Sequence, residues 1–276
     1  MKPLCWITGA AGLIGHQLLA SAHIHAPNLS PRPLTRQDVD LTHFDAVTHL
    51  FHQESPQLII HCAAMSRSPD CQHNPAAAQL ANTQVTRHLA NLAHNIPFFF
   101  FSTDLVFDGQ QGQYAEPHPT NPLLVYGQTK ANAEHHVLSN PNHTVIRTSL
   151  SAGSSPSGKS SFSENLILAW KNGRTPKLFT DEFRTPIDAS VTARATWELV
   201  LQQATGIFHL AGSERLSRLD IGQIIANTQP HLHCPIQPAS IHDFTGSPRP
   251  ADTSLNCSKI QQLLSFPLPS FRQWQP

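Results

Sequence analysis

Tyr126 and Lys130 stand four residues apart, a spacing that puts two side chains on the same face of a helix. A free phenol has a pKa of about 10 and is a poor acid–base catalyst at neutral pH. A nearby ammonium group favours the phenolate and lowers that pKa. Such a pair can pass a proton to or from a carbonyl oxygen, although the same spacing also occurs in ordinary amphipathic helices with a surface lysine. The rest of the chain must decide between these interpretations.

A glycine-rich turn near the N-terminus follows a short apolar segment, Leu4–Ile7, that is typical of a buried strand. The turn runs from Thr8 to Gly15 with the spacing GxxGxxG and opens an apolar helix. Glycines there let the backbone approach a pyrophosphate, whose charge is attracted by the free N–H groups and the dipole of the helix start. A plain glycine turn is the alternative, since a lone glycine triplet is a weak signal. The expected contacts with a dinucleotide are Gly9, Gly12, Leu13, Ile14 and Gly15.

The segment about 20 residues beyond the glycines indicates which dinucleotide binds, because NAD-binding domains carry an acid there that holds the ribose hydroxyls. This chain has Arg36 at that position and Arg32 nearby. A guanidinium group fits the 2′-phosphate of NADP. NADP is therefore the expected cofactor. NAD remains an alternative, because Asp38 is an acid in the same segment. Asp40 and Leu41 begin the link to the next helix and complete the expected cofactor contacts on this side.

Two later strands are expected to end at the same edge of the sheet. The strand that begins at Gln57 runs into Ala63 and Ala64, whose small side chains allow close passage of a cofactor backbone. Four consecutive phenylalanines, Phe98–Phe101, suit a strand that is covered on both faces. Ser102 and Thr103 follow them at the carboxyl edge, where either hydroxyl can donate a hydrogen bond to a substrate carbonyl oxygen.

A long helix is predicted between these strands, from Pro75 to His94, with Asn82 in its middle. Asparagine is unfavourable inside a helix because its side chain competes for backbone hydrogen bonds. We therefore expect the Asn82 side chain to have a polar partner elsewhere in the fold.

The alternation of strands and helices up to Leu150 predicts an α/β protein with a Rossmann-type doubly wound parallel sheet. Residues 1–150 are expected to form the dinucleotide-binding domain. Residues 151–276 are expected to form a smaller C-terminal substrate-binding lobe, partly interleaved with the sheet. A chain of 276 residues is long enough to bury such a core.

Composition argues against several classes of partner. The 18 basic and 18 acidic residues cancel, which argues against binding to nucleic acid or anionic membranes. No apolar run reaches the roughly 18 residues of a membrane span. The N-terminus imitates a secretory signal, but cleavage after Ala22 would discard the glycine turn, so we reject that interpretation. Five scattered cysteines favour reduced thiols and a cytoplasmic location.

The 18 histidines invite a metal hypothesis, above all in the segment His231–Cys234. No second set of ligands lies at a spacing that would close a tetrahedral site. We therefore expect no metal.

These residues together resemble the extended short-chain dehydrogenase/reductases, through the TGxxGxxG turn, the alanine pair, Asn82, Thr103 and the Tyr126–Lys130 pair. More narrowly, the segments Ser102–Gly109 and Tyr126–Lys130 are similar to the dTDP-4-dehydrorhamnose reductase branch, as is Arg249–Pro250 near the C-terminus. The likeness covers nearly the whole chain. Its central block is specific and its last third is loose.

The resemblance implies a role for each matching residue. Thr103 would orient the substrate carbonyl and Tyr126 would supply its proton. Lys130 would lower the pKa of Tyr126 and hold the nicotinamide ribose, and Asn82 would support a proton relay. The substrate would be a nucleotide-linked keto sugar that accepts hydride from NADPH at C4.

Some features leave alternatives open. Related dehydratases carry an Asp-Glu pair after the threonine, whereas Asp104 here is followed by Leu105, which disfavours dehydration. The segment Met65–Asp70 departs from the reductase pattern. Ala63–Arg67 resembles a segment of the NADP-binding regulatory β subunit of methionine adenosyltransferase, a non-catalytic alternative. A sugar-nucleotide epimerase that retains its NAD(H) is a third option. The oligomeric state is open, with a homodimer among the options.

Overall fold

The computed structural model of the protein describes residues 2–276. Its strands are β1 (Leu4–Thr8), β2 (Ser30–Leu34), β3 (Leu58–His61), β4 (Phe98–Thr103), β5 (Thr144–Thr148), β6 (Ser151–Ala152), β7 (Lys177–Phe179), β8 (Phe183–Arg184), β9 (Ile187–Asp188), β10 (Gly206–Leu210), β11 (Leu216–Ser217) and β12 (Gln237–Ala239). Its α-helices are α1 (Leu13–His25), α2 (Phe44–Glu54), α3 (Ser68–His73), α4 (Pro75–Ala78), α5 (Val85–Leu92), α6 (Val125–Leu138), α7 (Phe162–Lys171), α8 (Ala189–Leu201), α9 (Arg218–Asn227) and α10 (Ser258–Gln261).

Six strands form the central sheet in the order β2-β1-β3-β4-β5-β10, and all neighbours are parallel. The order reverses between β1 and β3. In open α/β sheets such a reversal leaves a crevice outside the carboxyl ends of the strands, where ligands bind. The predicted α/β class and doubly wound parallel sheet are confirmed.

The phenylalanine run of β4 explains why this strand lies in the middle of the sheet. Phe98–Phe101 are each no more than 5% exposed. Because side chains alternate along a strand, Phe99 and Phe101 pack with α1 and α8, whereas Phe98 and Phe100 pack with α2, α5 and α6. Each buried ring contributes about 1.5–3 kcal/mol of transfer free energy. The prediction that this strand is covered on both faces is confirmed.

The predicted helix from Pro75 to His94 is not a regular α-helix. Its middle, Gln79–Gln84, is π-helical and separates α4 from α5. Asn82 and Thr83 are buried in this stretch. Single π turns are uncommon and often occur at functional sites.

The second half of the chain contributes to the sheet and also builds a separate cluster. β10 forms the sheet edge beside β5, and α8 packs on α1, where the indole of Trp197 donates to the carbonyl of Leu18 at 3.2 Å. A second apolar cluster joins α7 and α9 and includes Trp170, Leu178 and Ile221. The division into residues 1–150 and 151–276 stays a prediction.

Within residues 2–276, no helix has the length and apolar character that crossing a bilayer requires. The same residues contain no group of three or more His, Cys, Asp or Glu side chains arranged to hold a metal ion.

Two histidines are fully buried and hydrogen-bonded. The ring of His61 lies between the hydroxyls of Thr8, at 2.6 Å, and Thr86, at 3.0 Å. His209 contacts the carbonyl oxygen of Tyr114 at 2.9 Å. Burial lowers the pKa of both imidazoles to about 3. These two rings are therefore neutral in the folded protein at neutral pH.

We expect stability to fall steeply in mild acid. The folded pKa of His61 and His209 lies below the unfolded value of about 6.5, so the unfolded chain binds more protons below that pH. Their contribution is complete above pH 6.5 and is lost as pH falls toward 3, at about 1.4 kcal/mol per pH unit for each histidine. Urea unfolding at several pH values measures this slope. His61→Gln should flatten it and His23→Gln, at an exposed position, should not; equal slopes in both variants would contradict the assignment.

Candidate active site

A cavity of about 1260 Å³ lies at the carboxyl edge of the sheet, beside the reversal in strand order. Ligand pockets for one drug-sized molecule have volumes of roughly 300–1,000 Å³, so this cavity has room for a second molecule. Asn82 lies behind its wall rather than on its surface. The predicted site residues that line it are Gly9, Gly12, Leu13, Ile14, Gly15, Arg36, Asp40, Leu41, Ala63, Ala64, Thr103, Tyr126 and Lys130.

The glycine turn has no room for side chains. Gly9 adopts a left-handed φ of +66°, and a Cβ atom there would lie 2.7 Å from the backbone nitrogen of Ala63. A Cβ on Gly15 would collide with the carbonyl oxygen of Gly9. Gly12 is the N-cap of α1 and has no side chain to occupy the first N–H groups of the helix. The turn therefore leaves a bare backbone cradle that suits a pyrophosphate.

The cavity surface beyond β2 carries a free cation rather than a free acid. Arg36 is exposed there, and within residues 2–276 no acidic group lies within ion-pair distance of its guanidinium. Asp38 accepts hydrogen bonds from the backbone and hydroxyl of Thr35, at 2.9 and 2.7 Å, and from Arg32 at 2.9 Å. The bonds from Thr35, followed by that from Arg32, lower the pKa of Asp38 to about 2. This carboxylate is already occupied, which leaves Arg36 to face an incoming ligand.

Thr103, Tyr126 and Lys130 come together where β4 ends and α6 begins. Thr103 is the last residue of β4, and Tyr126 is the second residue of α6. Lys130 follows one turn later, is 2% exposed, and holds its Nζ 3.9 Å from the ring centroid of Phe100. All three side chains line the same cavity.

The expected effect of Lys130 on the pKa of Tyr126 is wrong for this structure. Burial, and then the negative charge of Asp104, raise the pKa of the phenol, and the Thr103 hydroxyl opposes the rise. Burial also lowers the pKa of Lys130 to about 7, although the charge of Glu134 opposes this. Nζ of Lys130 lies over the ring of Phe100, and Lys130 is not among the groups that shift the pKa of the phenol. Tyr126 therefore keeps its proton at neutral pH, as a proton donor must.

Gly127 fixes the position of Tyr126, which the sequence did not reveal. A Cβ on Gly127 would collide with the carbonyl oxygen of Leu105 and lie 2.9 Å from Cβ of Pro122. The absence of a side chain lets the first turn of α6 pack directly on the 3₁₀ turn that follows Thr103. This contact sets the distance between the Thr103 hydroxyl and the Tyr126 phenol.

Asn82 has the polar partners that its helical position suggested. Its amide exchanges hydrogen bonds with the backbone of Met65, at 2.8 Å to the nitrogen and 3.1 Å to the oxygen. It also donates to the hydroxyl of Thr129 on α6 at 3.0 Å. Asn82 thus ties the loop after β3 to the helix that carries Tyr126. Its part in a proton relay stays a prediction.

The other end of the cavity carries arginines that sequence reasoning missed. Glu182 is fully buried, with Nε of Arg249 at 2.6 Å, Nη2 of Arg184 at 3.0 Å and Nε of Arg218 at 3.9 Å. Asp104 also pairs with Arg184. Three guanidinium groups thus face two carboxylates and leave a net charge of +1. Such an excess in a partly enclosed cavity attracts an anion.

The reversed strand order, the glycine cradle and the tyrosine–lysine pair at the carboxyl edge define a Rossmann-type protein of the extended short-chain dehydrogenase/reductase class. Within that class, the chain belongs to the family described as RmlD substrate binding domain, which it matches over residues 3–275. The resemblance to the dTDP-4-dehydrorhamnose reductase branch is thereby confirmed.

Individual relatives fall into two functional groups. The chain is 32% identical to the probable low-salt glycan biosynthesis reductase Agl14 of Haloferax volcanii, over 80% of this chain and 78% of that protein. It is 30% identical to methionine adenosyltransferase 2 subunit beta of Rattus norvegicus, over 93% and 81%. It is 28% identical to a dTDP-4-dehydrorhamnose reductase of Sinorhizobium fredii, over 97% and 93%. Both reductases and a β subunit are thus similar to this chain.

A solved structure confirms the fold. The dTDP-4-dehydrorhamnose reductase of Bacillus anthracis, determined in complex with NADP, superposes with a TM-score of 0.89. It covers 99% of this chain and 97% of its own, at 22% identity. At this identity the similarity establishes the fold alone.

Proposed function

We propose that the protein is an NADPH-dependent reductase that converts the 4-keto group of a nucleotide-linked deoxysugar to an alcohol. The observation that carries the proposal is that one cavity contains all three parts that this reaction needs. Thr103, Tyr126 and Lys130 lie in it together with the glycine cradle and the arginine end. The named reductases among the relatives support the same reaction class.

NADPH is the cofactor that the residues of the cavity fit. The backbone at Gly9 and Gly15 leaves space that a Cβ would fill, as the approach of a pyrophosphate requires. Arg36 is free to pair with a 2′-phosphate, whereas Asp38 is occupied by its own neighbours. The NADP bound by the Bacillus anthracis reductase supports this choice.

We expect Arg36→Ala to weaken NADPH binding by about tenfold or more and to leave NADH binding nearly unchanged. The reason is that only NADPH presents a 2′-phosphate, and a charge-assisted hydrogen bond contributes about 1.5–3 kcal/mol. Fluorescence titration with both cofactors measures the two affinities. Arg67→Ala, which removes a cation that is 80% exposed, serves as the control. Equal losses for NADPH and NADH would show that Arg36 does not read the phosphate.

The chemistry divides between a donated proton and an oriented carbonyl. When bound, NADPH supplies the hydride that adds to the keto carbon. Tyr126 donates its phenolic proton to the carbonyl oxygen, and Thr103 donates a hydrogen bond to that oxygen and so orients it. Water then returns a proton to the phenolate left on Tyr126. Lys130 would hold the ribose hydroxyls of the cofactor.

The remaining cavity surface fits a nucleotide-linked deoxysugar. Arg218 and Arg249 offer guanidinium groups to a diphosphate, which they can hold in bidentate fashion. Leu105 and Leu124 lie two positions from Thr103 and Tyr126 and line the cavity, where they present apolar surface to a methyl group. Leu105 also replaces the acid that related dehydratases use.

An assay of NADPH oxidation tests the proposal directly. The purified protein is mixed with NADPH and dTDP-4-dehydrorhamnose, the substrate named for the similar reductases, and NADPH absorbance and the product are followed. The same sugar without its nucleotide is the control, because it cannot use the arginine end. We expect rapid oxidation of NADPH with the nucleotide sugar and little with the free sugar. Binding of both molecules without any turnover would overturn the proposal.

A regulatory subunit is the second candidate, since the chain is 30% identical to methionine adenosyltransferase 2 subunit beta over 93% of its length. Such a subunit would retain the cofactor cavity and act by contact with a catalytic partner. Size-exclusion chromatography with a methionine adenosyltransferase catalytic subunit tests it. Co-elution without NADPH oxidation would favour this candidate over the reductase.

A further inference from the structure

Buried charges form an unbroken series of contacts between Thr103 and the arginine end of the cavity. The mechanism proposed above uses the two ends of this series and not its middle, Asp104 and Arg184. Both side chains are nearly inaccessible, at 4% and 6% exposure. Burying an ion pair requires desolvation of both groups, so its presence beside a reaction centre invites a functional explanation.

Asp104 contacts Thr103 with one carboxylate oxygen and three surrounding side chains with the other. Its Oδ1 accepts a hydrogen bond from the hydroxyl of Thr103 at 3.2 Å. Its Oδ2 accepts from Ser149 at 2.7 Å, Thr253 at 3.1 Å and Arg184 at 3.2 Å. Three donors thus hold one oxygen in place while the other oxygen orients the threonine.

Arg184 connects this carboxylate to the arginine end. Its Nη1 donates to Asp104, and its Nη2 donates to Glu182 at 3.0 Å. Glu182 in turn accepts from Arg249 at 2.6 Å. A diphosphate bound by Arg249 would therefore adjoin a rigid series of groups that ends at Thr103.

We propose that Asp104 is a positioning residue, held by Arg184, that orients the Thr103 hydroxyl until a carbonyl oxygen arrives. The proposal rests on the reductase function proposed above. Since the hydroxyl of Thr103 accepts from the backbone nitrogen of Leu105 at 3.2 Å, its single proton is directed to Asp104. Rotation of that O–H toward the substrate exchanges one oxygen acceptor for another, without leaving the hydrogen unpaired.

The charge of Asp104 also acts on Tyr126, which gives a readout that does not need substrate. The charged or ionisable groups that act on its phenol are Asp104 after β4 and Cys71 on α3. After burial, the negative charge of Asp104 contributes most to raising the pKa of the phenol, and Cys71 adds to the rise. A carboxylate at this position opposes early loss of the proton that the reaction needs.

The chain allows this effect to be measured without any substrate. It contains two tyrosines, Tyr114 and Tyr126. In a Tyr114→Phe background, the ultraviolet absorbance of phenolate reports Tyr126 alone. Asp104→Asn in that background removes the negative charge with little change of shape. We expect the midpoint of the phenolate titration to fall by about one pH unit or more.

The control for this titration is Asp252→Asn, which breaks another aspartate–arginine pair, with Arg215, outside the cavity. It should leave the titration unchanged. Far-ultraviolet circular dichroism defines the pH range in which each variant is folded. Equal midpoints of the phenolate titration in the Asp104→Asn protein and its parent would overturn the effect of Asp104 on Tyr126.

Steady-state kinetics then test the link through Arg184. Asp104→Asn should lower kcat on the order of 10²-fold, because a misplaced polar group costs that much, and should leave NADPH affinity within about twofold. Arg184→Met should lower kcat similarly, since Asp104 loses its charged partner. If the two residues act as a unit, the double variant should be no slower than either single variant. A double variant whose loss in kcat equals the product of the two single losses would show that Asp104 and Arg184 act separately.

The titration and the kinetics separate this inference from the proposed function. A protein without reductase activity whose Tyr126 titration still shifts in Asp104→Asn would refute the reductase and retain the effect of Asp104 on Tyr126. An active reductase whose titration and kcat are unaffected by Asp104→Asn would refute the positioning role and retain the reductase.

Discussion

Replacement of Tyr126 by phenylalanine is expected to lower turnover by roughly 10²- to 10⁴-fold, the range that general acid catalysis contributes. The change removes one hydroxyl and keeps the ring, so the wall of the cavity is preserved. Burial and Asp104 raise the pKa of this phenol, which means that it is protonated and ready to donate throughout the neutral range. NADPH affinity should change little, because the glycine cradle and Arg36 are untouched.

Stopped-flow measurement of NADPH oxidation, together with a binding titration of the same variant, checks this prediction. Tyr114→Phe is the matched control, since it removes the chain's other phenol. The Tyr114 hydroxyl donates to Asp108 at 2.6 Å, away from Thr103 and Lys130. A Tyr126→Phe variant with the parent rate would show that the proton comes from another group.

The second large effect is expected from the buried ion pair beneath the active site. Arg147 contacts Glu134 through Nη2 at 2.7 Å and through Nε at 3.0 and 3.2 Å, and both side chains are 4% exposed. Ser102 donates to the same carboxylate at 2.5 Å. Glu134→Gln would leave the guanidinium buried without a counter-charge. We expect the free energy of unfolding to fall by about 3–5 kcal/mol.

Urea unfolding with a common slope for both proteins measures this loss. Asp70→Asn is the control, because it breaks an ion pair with Arg67 whose side chains are 48% and 80% exposed. Exposed pairs contribute less than about 1 kcal/mol. The charge of Glu134 also opposes the lowering of the Lys130 pKa. As pH rises, Lys130 in the variant should therefore lose its proton, and the variant its activity, at a lower pH than in the parent. Equal stability of the two variants would contradict the importance of this buried pair.

The sheet could be predicted from the sequence because its strands bury both faces. A run such as Phe98–Phe101 is buried most readily in a strand that is covered on both faces. The helices between the strands have apolar faces that cover the sheet. The cradle could be predicted for a similar reason, since glycine is the residue that permits the φ of Gly9 and the approach of Ala63. Both the sheet and the glycine cradle could therefore be predicted from the residue types of short segments.

The features that were missed depend on distant parts of the chain. Glu182, Arg184, Arg218 and Arg249 are separated by up to 67 residues, and no periodicity connects them. The π-helical turn contains Asn82, whose partners Met65 and Thr129 lie in other parts of the chain and are not revealed by helix propensity. The direction of the Tyr126 pKa shift depends on burial and on Asp104, which helical spacing cannot supply.

Transfer of deuterium from NADPH labelled at the hydride position tests the central claim most directly. The labelled cofactor is incubated with the protein and dTDP-4-dehydrorhamnose, and the product is analysed by mass spectrometry and NMR. We expect a single deuterium on the former keto carbon, and a rate of labelling that is roughly 10²- to 10⁴-fold lower with Tyr126→Phe, which still binds the cofactor. An unlabelled sugar after incubation with the intact, cofactor-binding protein would contradict it.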